Sequence, residues 1–124
     1  QGQRAVCPVA ADTPMWLASP RSVVENIIRA HDRPGADFQS WRALAIPGFS
    51  VPVGEMVEAL KRVAGNNVAA LIDWQPDPAI EKIVYGWPVE LDTARAYALD
   101  MVADASMDAV VQAFIDDDLD PAVS

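Results

Sequence analysis

Apolar positions along this chain fall into short runs and helical stripes, divided by turns that carry proline or glycine. Residues 4–9 (RAVCPV) predict a short strand, with Pro8 placing it at a sheet edge or a strand end. Residues 15–18 (MWLA) are a second extended candidate. Ser19 and Pro20 then form a helix start, a hydroxyl N-cap followed by the residue preferred at the first helical position. Behind them Val23, Val24, Ile27 and Ile28 recur at the three-and-four spacing of one buried helix face, and Pro34-Gly35 ends the helix. Residues 42–46 (RALAI) predict a strand closed by Pro47-Gly48. Ser50 is expected to open a second helix, with Val53, Met56, Val57, Leu60 and Ala64 on one face and Gly65 as its stop.

Residues 68–74 (VAALIDW) form a third apolar segment, expected as a strand, although the Ala-Ala pair keeps a helix open. Asp77-Pro78 is another cap with a first-turn proline, leading to Ile80, Ile83 and Val84. Asp92 is expected to cap a short helix running through Leu99. Ser106 caps the last helix, whose stripe is Met107, Val110, Val111, Phe114 and Ile115. Asp116, Asp117 and Asp118 stand at its C-terminal end, where acidic charge opposes the helix dipole and predicts a frayed last turn. Four or five helices with three or four short strands make an α+β lobe. Its strands are too few and too short for a doubly wound sheet, so it needs a partner sheet to complete it. No repeat or long linker divides the chain, which predicts one lobe over residues 1–124.

Composition changes this picture in two respects. The 52% hydrophobic content of the 124 residues supports a buried core, and 22% charged residues fit a folded globule. The net charge of −9 argues against nucleic acid and anionic membranes as partners, since both require clustered Lys and Arg. That charge is lopsided: residues 1–62 carry seven basic and six acidic side chains, residues 63–124 two basic and twelve acidic. No apolar run is long enough to span a membrane and no signal segment opens the chain. Cys7 is the one cysteine, so no internal disulfide forms and a cytoplasmic location is expected. The start at Gln1, without an initiator methionine, reads as a cut or processed end.

Candidate chemistry is sparse. There is no glycine-rich phosphate loop, and the one histidine, His31, and one thiol, Cys7, cannot build a His/Cys zinc site. His31 reads as a partly exposed residue favoured by a helix C-terminus, and Cys7 as a small apolar strand residue. Asp116, Asp117, Asp118 and Asp120 lack the alternation, central glycine and closing glutamate of a calcium loop. Among the four tryptophans, Trp16 and Trp87 lie beside proline-flanked turns where pockets form, whereas core packing is the plain alternative for each. Arg21 occupies a first helical turn, where the dipole disfavours a cation. It pairs with a carboxylate such as Glu25, or it faces an anionic ligand.

The order of three segments carries a resemblance. Residues 16–30 (WLASPRSVVENIIRA), 46–65 (IPGFSVPVGEMVEALKRVAG) and 92–101 (DTARAYALDM) with Ala103, Asp104 and the final helix resemble, in sequence order, the C-terminal half of extended short-chain dehydrogenases. Within them the chain is similar to the NAD-dependent epimerase/dehydratase group that includes D-erythronate dehydrogenases. The resemblance implies the substrate-binding C-terminal region of a Rossmann-type oxidoreductase. NAD(P) would be bound by the nucleotide-binding domain of the full-length parent only. The family's Tyr-x-x-x-Lys pair has no counterpart: Val89 follows Tyr85 by four residues and Met101 follows Tyr97, so this chain alone is expected to be inactive.

Two positions depart from the family pattern. Asp100-Met101 stands where a glycine and an aromatic are usual, which removes a glycine cap. Glu90 precedes Asp92 where nucleotide-sugar relatives often carry a phosphate-holding arginine, which favours a small polyol or hydroxy-acid substrate, erythronate-like. For such a substrate the expected contacts are Arg21 to a carboxylate, hydrogen bonds from Thr13 and Ser19, and walls from Trp16 and Trp87. The competing reading is a free-standing noncatalytic module that binds a protein through the apolar face of Val23–Ile28 or of the last helix. Self-association through those exposed helix faces is the expectation for a fragment.

Overall fold

The computed structural model describes residues 2–119. Two small sheets organise it. In one, β1 (Ala5–Cys7) pairs in parallel with β4 (Ile72–Trp74), with Val6 opposite Asp73. In the other, β2 (Pro14–Leu17) pairs antiparallel with β3 (Phe49–Pro52), Trp16 opposite Ser50 and Leu17 opposite Phe49. Around them lie α1 (Pro20–Asp32), α2 (Val53–Ala64), α3 (Asn66–Ala69), α4 (Pro78–Val84), α5 (Ala94–Ala98) and α6 (Met107–Asp117), with a 3-10 turn at Gly35–Phe38. This is the expected α+β arrangement.

Local chemistry explains most boundaries. Ser19 caps α1, its hydroxyl accepting from the Ser22 N–H at 3.1 Å. Asp77 and Ser106 do the same for α4 and α6, accepting from Ala79 N at 2.8 Å and Ala109 N at 3.1 Å. Gly65 ends α2 at φ 91°, a conformation that suits glycine, and its N–H returns to the Lys61 carbonyl at 3.0 Å. The apolar segment at 68–74 divides, its first part closing α3 and its last three residues forming β4. At α5 the capping carboxylate is Asp92, accepting from Ala94 N at 3.1 Å, although the backbone places Thr93 at the cap position.

Three expectations are corrected. Ser50 does not open α2: it lies within β3, and the helix begins at Val53 behind Pro52, whose fixed φ fits the turn from strand to helix. Residues 42–46 form no strand, because no neighbouring strand offers them a ladder among the described residues. The stripe on α1 is not buried either. Val24, Ile27 and Ile28 are 55%, 57% and 54% exposed, while the inward positions are Ser22 and Asn26.

That inversion has a clear cause. Asn26 is fully buried, and its side chain brackets one residue of the chain before α6, donating to Val102 O at 2.7 Å and accepting from Val102 N at 2.8 Å. Asp104 reaches the α1 N-terminus from the same stretch. Its carboxylate accepts from Ser19 N at 2.8 Å, Ser19 Oγ at 2.5 Å and Ser22 Oγ at 2.8 Å. Directional bonds to otherwise unsatisfied backbone fix which face of the helix turns inward, and the apolar stripe is left outside. The apolar core lies elsewhere, around Val51, Ala59, Ala96, Leu99, Met101 and Val111, with Ala59 completely enclosed where α2 packs on α6.

Asp100 keeps the turn that a glycine would make, at φ 58°. A side chain in this left-handed region costs roughly 1 kcal/mol, less for Asp than for most residues. Its pair with Arg33 is largely exposed and contributes little. Asp100→Gly is therefore expected to raise stability by about 0.5 kcal/mol. A urea midpoint that stays put or falls would show that the Arg33 contact outweighs the backbone strain.

Candidate functional site

The two tryptophans singled out from the sequence converge. Strand β2 delivers Met15 and Trp16, and the turn after α4 delivers Trp87, Pro88 and Leu91; together with Pro14 and Val84 they line a cleft of about 220 Å³. Proline rings at 14 and 88 stiffen both sides of this opening. Trp16 is held from behind by the close approach of Gly48, where an added Cβ would lie 2.9 Å from the indole Nε1 and 2.4 Å from the Leu17 carbonyl. The lining carries no charged side chain, so it suits a short carbon skeleton and a dry environment. An acidic rim adjoins it: Glu90 and Asp92 share a shallow recess with Thr93 and Tyr97, contiguous through Leu91.

The other three expected contacts do not reach this cleft. Arg21 is gripped by the end of α6, its Nε and Nη2 donating to the two Asp117 oxygens at 2.7 and 2.8 Å, with Asp116 at 3.4 Å. The carboxylate partner foreseen for it, Glu25, pairs with Arg29 instead. Arg21 and Asp117 each sit at the wrong helix end for their charge, and each neutralises the other. Hydrogen bonding to Asp117 raises the guanidinium pKa, and the same contact lowers that of the Asp117 carboxyl. Ser19 is completely buried and spends its hydroxyl on Asp104. Thr13 is buried too; its carbonyl accepts from Val53 N at 3.0 Å, and its hydroxyl meets no partner among the described residues. These three positions hold elements together.

The remaining candidates also find plain roles. His31 is exposed beside Asp32, and Cys7 is half-buried in β1. Trp41 is 68% exposed. Among the described residues no group of three His, Cys, Asp or Glu side chains could hold a metal ion, and Asp120 of the acidic run lies outside them. No helix among those residues is long and apolar enough to cross a membrane.

The N-termini of the two longest helices are closed to a phosphate. Phosphates bind at helix N-termini whose N–H groups are free. At α1 the Asp104 carboxylate already fills that position, and at α2 the first N–H groups are taken by Thr13 O and by Ala11 O at 2.7 Å. Sequence reasoning missed Asp104 and Asn26, although polar residues at 22 and 26 inside an apolar helix were a signal that something specific faced them. It also missed Leu91 and Val84, which only the turn after α4 brings to Trp16.

The architecture is that of the C-terminal part of a Rossmann-type epimerase/dehydratase. A solved nucleoside-diphosphate-sugar epimerase from Agrobacterium tumefaciens superimposes with a TM-score of 0.89 and 37% identity, covering 94% of this chain and 34% of that one. The particular relatives are D-erythronate dehydrogenases. That of Cupriavidus necator is 41% identical over 116 residues, 94% of this chain and 36% of the relative; that of Haemophilus influenzae is 38% identical over 118 residues, 95% and 38%. The chain thus spans a little over a third of the length of the curated relatives it matches. L-threonine 3-dehydrogenase of Trypanosoma brucei shares the fold at a TM-score of 0.76 with 18% identity, covering 93% of this chain and 35% of that one. No family model matches the chain.

Proposed function

We propose that this chain is the substrate-binding region of an NAD-dependent oxidoreductase of the epimerase/dehydratase type. Its substrate would be a small sugar acid or hydroxy acid, erythronate-like. The observation that carries this reading is the convergence of Trp16 and Trp87 on one small cleft. The apolar cleft of about 220 Å³ suits a short carbon skeleton. The acidic rim at Glu90 and Asp92 disfavours a diphosphate.

The division of labour follows from the lining. NAD, held by a nucleotide-binding region of the parent enzyme, would supply the hydride chemistry. The residues of this chain pack against the substrate's carbon skeleton, exclude water and fix its orientation; the substrate carboxylate and the reacting hydroxyl are met by groups outside this chain. Within a full-length enzyme, Trp16→Ala and Trp87→Ala should each raise KM for D-erythronate about tenfold or more, from the lost apolar contact. Unchanged KM in both variants would overturn the assignment of the cleft.

A second reading is a free-standing, noncatalytic module that binds another protein. It is favoured by the exposure of Val24, Ile27 and Ile28 on one side of α1 and of Phe114 on α6. A module evolved to stand alone keeps that face for its partner and stays monomeric, whereas an enzyme region separated from its neighbour self-associates through it.

A further inference from the structure

One side chain belongs to both spaces of the candidate site. Leu91 lines the apolar cleft with Trp16 and Trp87, and it also lines the shallow polar recess formed by Glu90, Asp92, Thr93 and Tyr97. Of the residues lining either space, only Leu91 is shared. Its mounting is firm on both sides. Upstream, the turn after α4 is closed by the N–H groups of Gly86 and Trp87, which donate to the Ile83 and Val84 carbonyls at 3.1 and 3.0 Å, and Pro88 follows. Downstream, the Asp92 carboxylate accepts from Ala94 N at 3.1 Å, and Thr93 is buried. A half-buried leucine held in this way puts its isobutyl group between two spaces of opposite character. One is walled by indole, proline and aliphatic carbon, the other by carboxylate and hydroxyl oxygens.

Charge decides which end of a ligand meets this divide. Among the described residues, those lining the polar recess include the Glu90 and Asp92 carboxylates and no cation. Arg95, the basic residue of this stretch, donates to the Phe38 carbonyl and lines a different recess, with Trp41. A substrate carboxylate is repelled from Glu90 and Asp92, whereas hydroxyl groups donate hydrogen bonds to them. An acid in the cleft is therefore oriented, its carboxylate away from Leu91 and its hydroxylated tail toward it. Resting on the function proposed above, we infer that Leu91 is the chain-length stop of the site. It ends the apolar cleft against the tail of a short acid and shuts that tail out of the polar recess. A longer tail collides with the isobutyl group. With a smaller side chain at this position the two spaces join, and the extra carbons carry their hydroxyls to oxygens that accept from them.

NADH formation by a full-length enzyme tests this, with wild type, Leu91→Val and Leu91→Ala each offered aldonic acids of four, five and six carbons. Leu91→Ala should raise kcat/KM for the longer acids relative to D-erythronate by about tenfold or more, the discrimination that one methylene gives in an apolar pocket. Leu91→Val, one methylene smaller than leucine, should fall between. An aldaric acid of five or six carbons, whose far end is a second carboxylate, should gain nothing in Leu91→Ala, because that end meets Glu90 and Asp92. An unchanged ratio in variants that still oxidise D-erythronate would overturn the stop and leave the function standing. Should the alanine variant fail to fold, an unchanged ratio in Leu91→Val counts against the stop equally. An equal gain for the aldaric acid would also overturn it, since the tail would not then face the acidic recess. A wild-type enzyme inactive on every hydroxy acid would overturn the function and the stop with it.

Discussion

Asp104→Ala is expected to lower the stability of this fold by about 3 kcal/mol, read as a large fall in the urea midpoint at unchanged slope. The carboxylate accepts three bonds at one helix end, from Ser19 N, Ser19 Oγ and Ser22 Oγ. Removing it strands the buried Ser19 N–H and leaves the buried Ser19 hydroxyl without an acceptor, while the Ser22 hydroxyl keeps the Ser19 carbonyl at 3.1 Å. It also removes a negative charge from the N-terminus of α1. The same group gives the fold an acid limb. Burial works to raise the Asp104 pKa, but the hydrogen bonds from Ser19 and Ser22 together outweigh it and hold the carboxyl below its ordinary value of 3.8. Because the folded-state pKa is the lower one, its contribution is complete above 3.8 and is lost as pH falls through the folded-state value. Asp104→Asn, which keeps the shape, should flatten the acid limb relative to wild type. Parallel pH profiles would show that the carboxylate charge plays no part in the cap.

Gly48→Ala is the second large effect, again about 3 kcal/mol and with a functional consequence. The new Cβ would lie 2.4 Å from the Leu17 carbonyl oxygen and 3.2 Å from its carbon, backbone atoms of β2 that cannot rotate away. Relief requires prying β2 from β3 at the pair Leu17–Phe49, next to the residue that walls the cleft. Stability and substrate KM should therefore deteriorate together. Gly35→Ala is the control, since its Cβ would meet only the Arg42 guanidinium at 3.7 Å, an ordinary contact. A Gly48→Ala variant as stable as Gly35→Ala would mean that the strand pair yields freely.

The elements legible in the sequence are those whose signals are local. Ser19-Pro20, Asp77-Pro78 and Ser106 announce helices through hydroxyls and carboxylates that bond their own first turn, and Gly65 stops α2 through its own φ. What failed needed a partner distant in sequence. The α1 stripe follows a correct helical period, but the bonds of Asn26 and Asp104, not apolar burial, select the inward face. Residues 42–46 have strand character without a neighbouring strand. In the site, Trp16 and Trp87 were readable because prolines flank them, and they do share a cleft. For Arg21 a cation in a first helical turn signals only that some anion is near, a carboxylate or a ligand; in this fold Asp117 of α6 is the carboxylate that meets it. Ser19 and Thr13 belong to the seams between elements.

The most direct test of the central claim is NADH formation by the full-length enzyme carrying this region, offered NAD and a panel of short hydroxy acids with D-erythronate among them. Turnover of a short hydroxy acid is expected, with no turnover of nucleotide sugars, and a KM that rises in Trp16→Ala and Trp87→Ala. Turnover confined to nucleotide sugars, or a KM indifferent to both tryptophans, would contradict that claim.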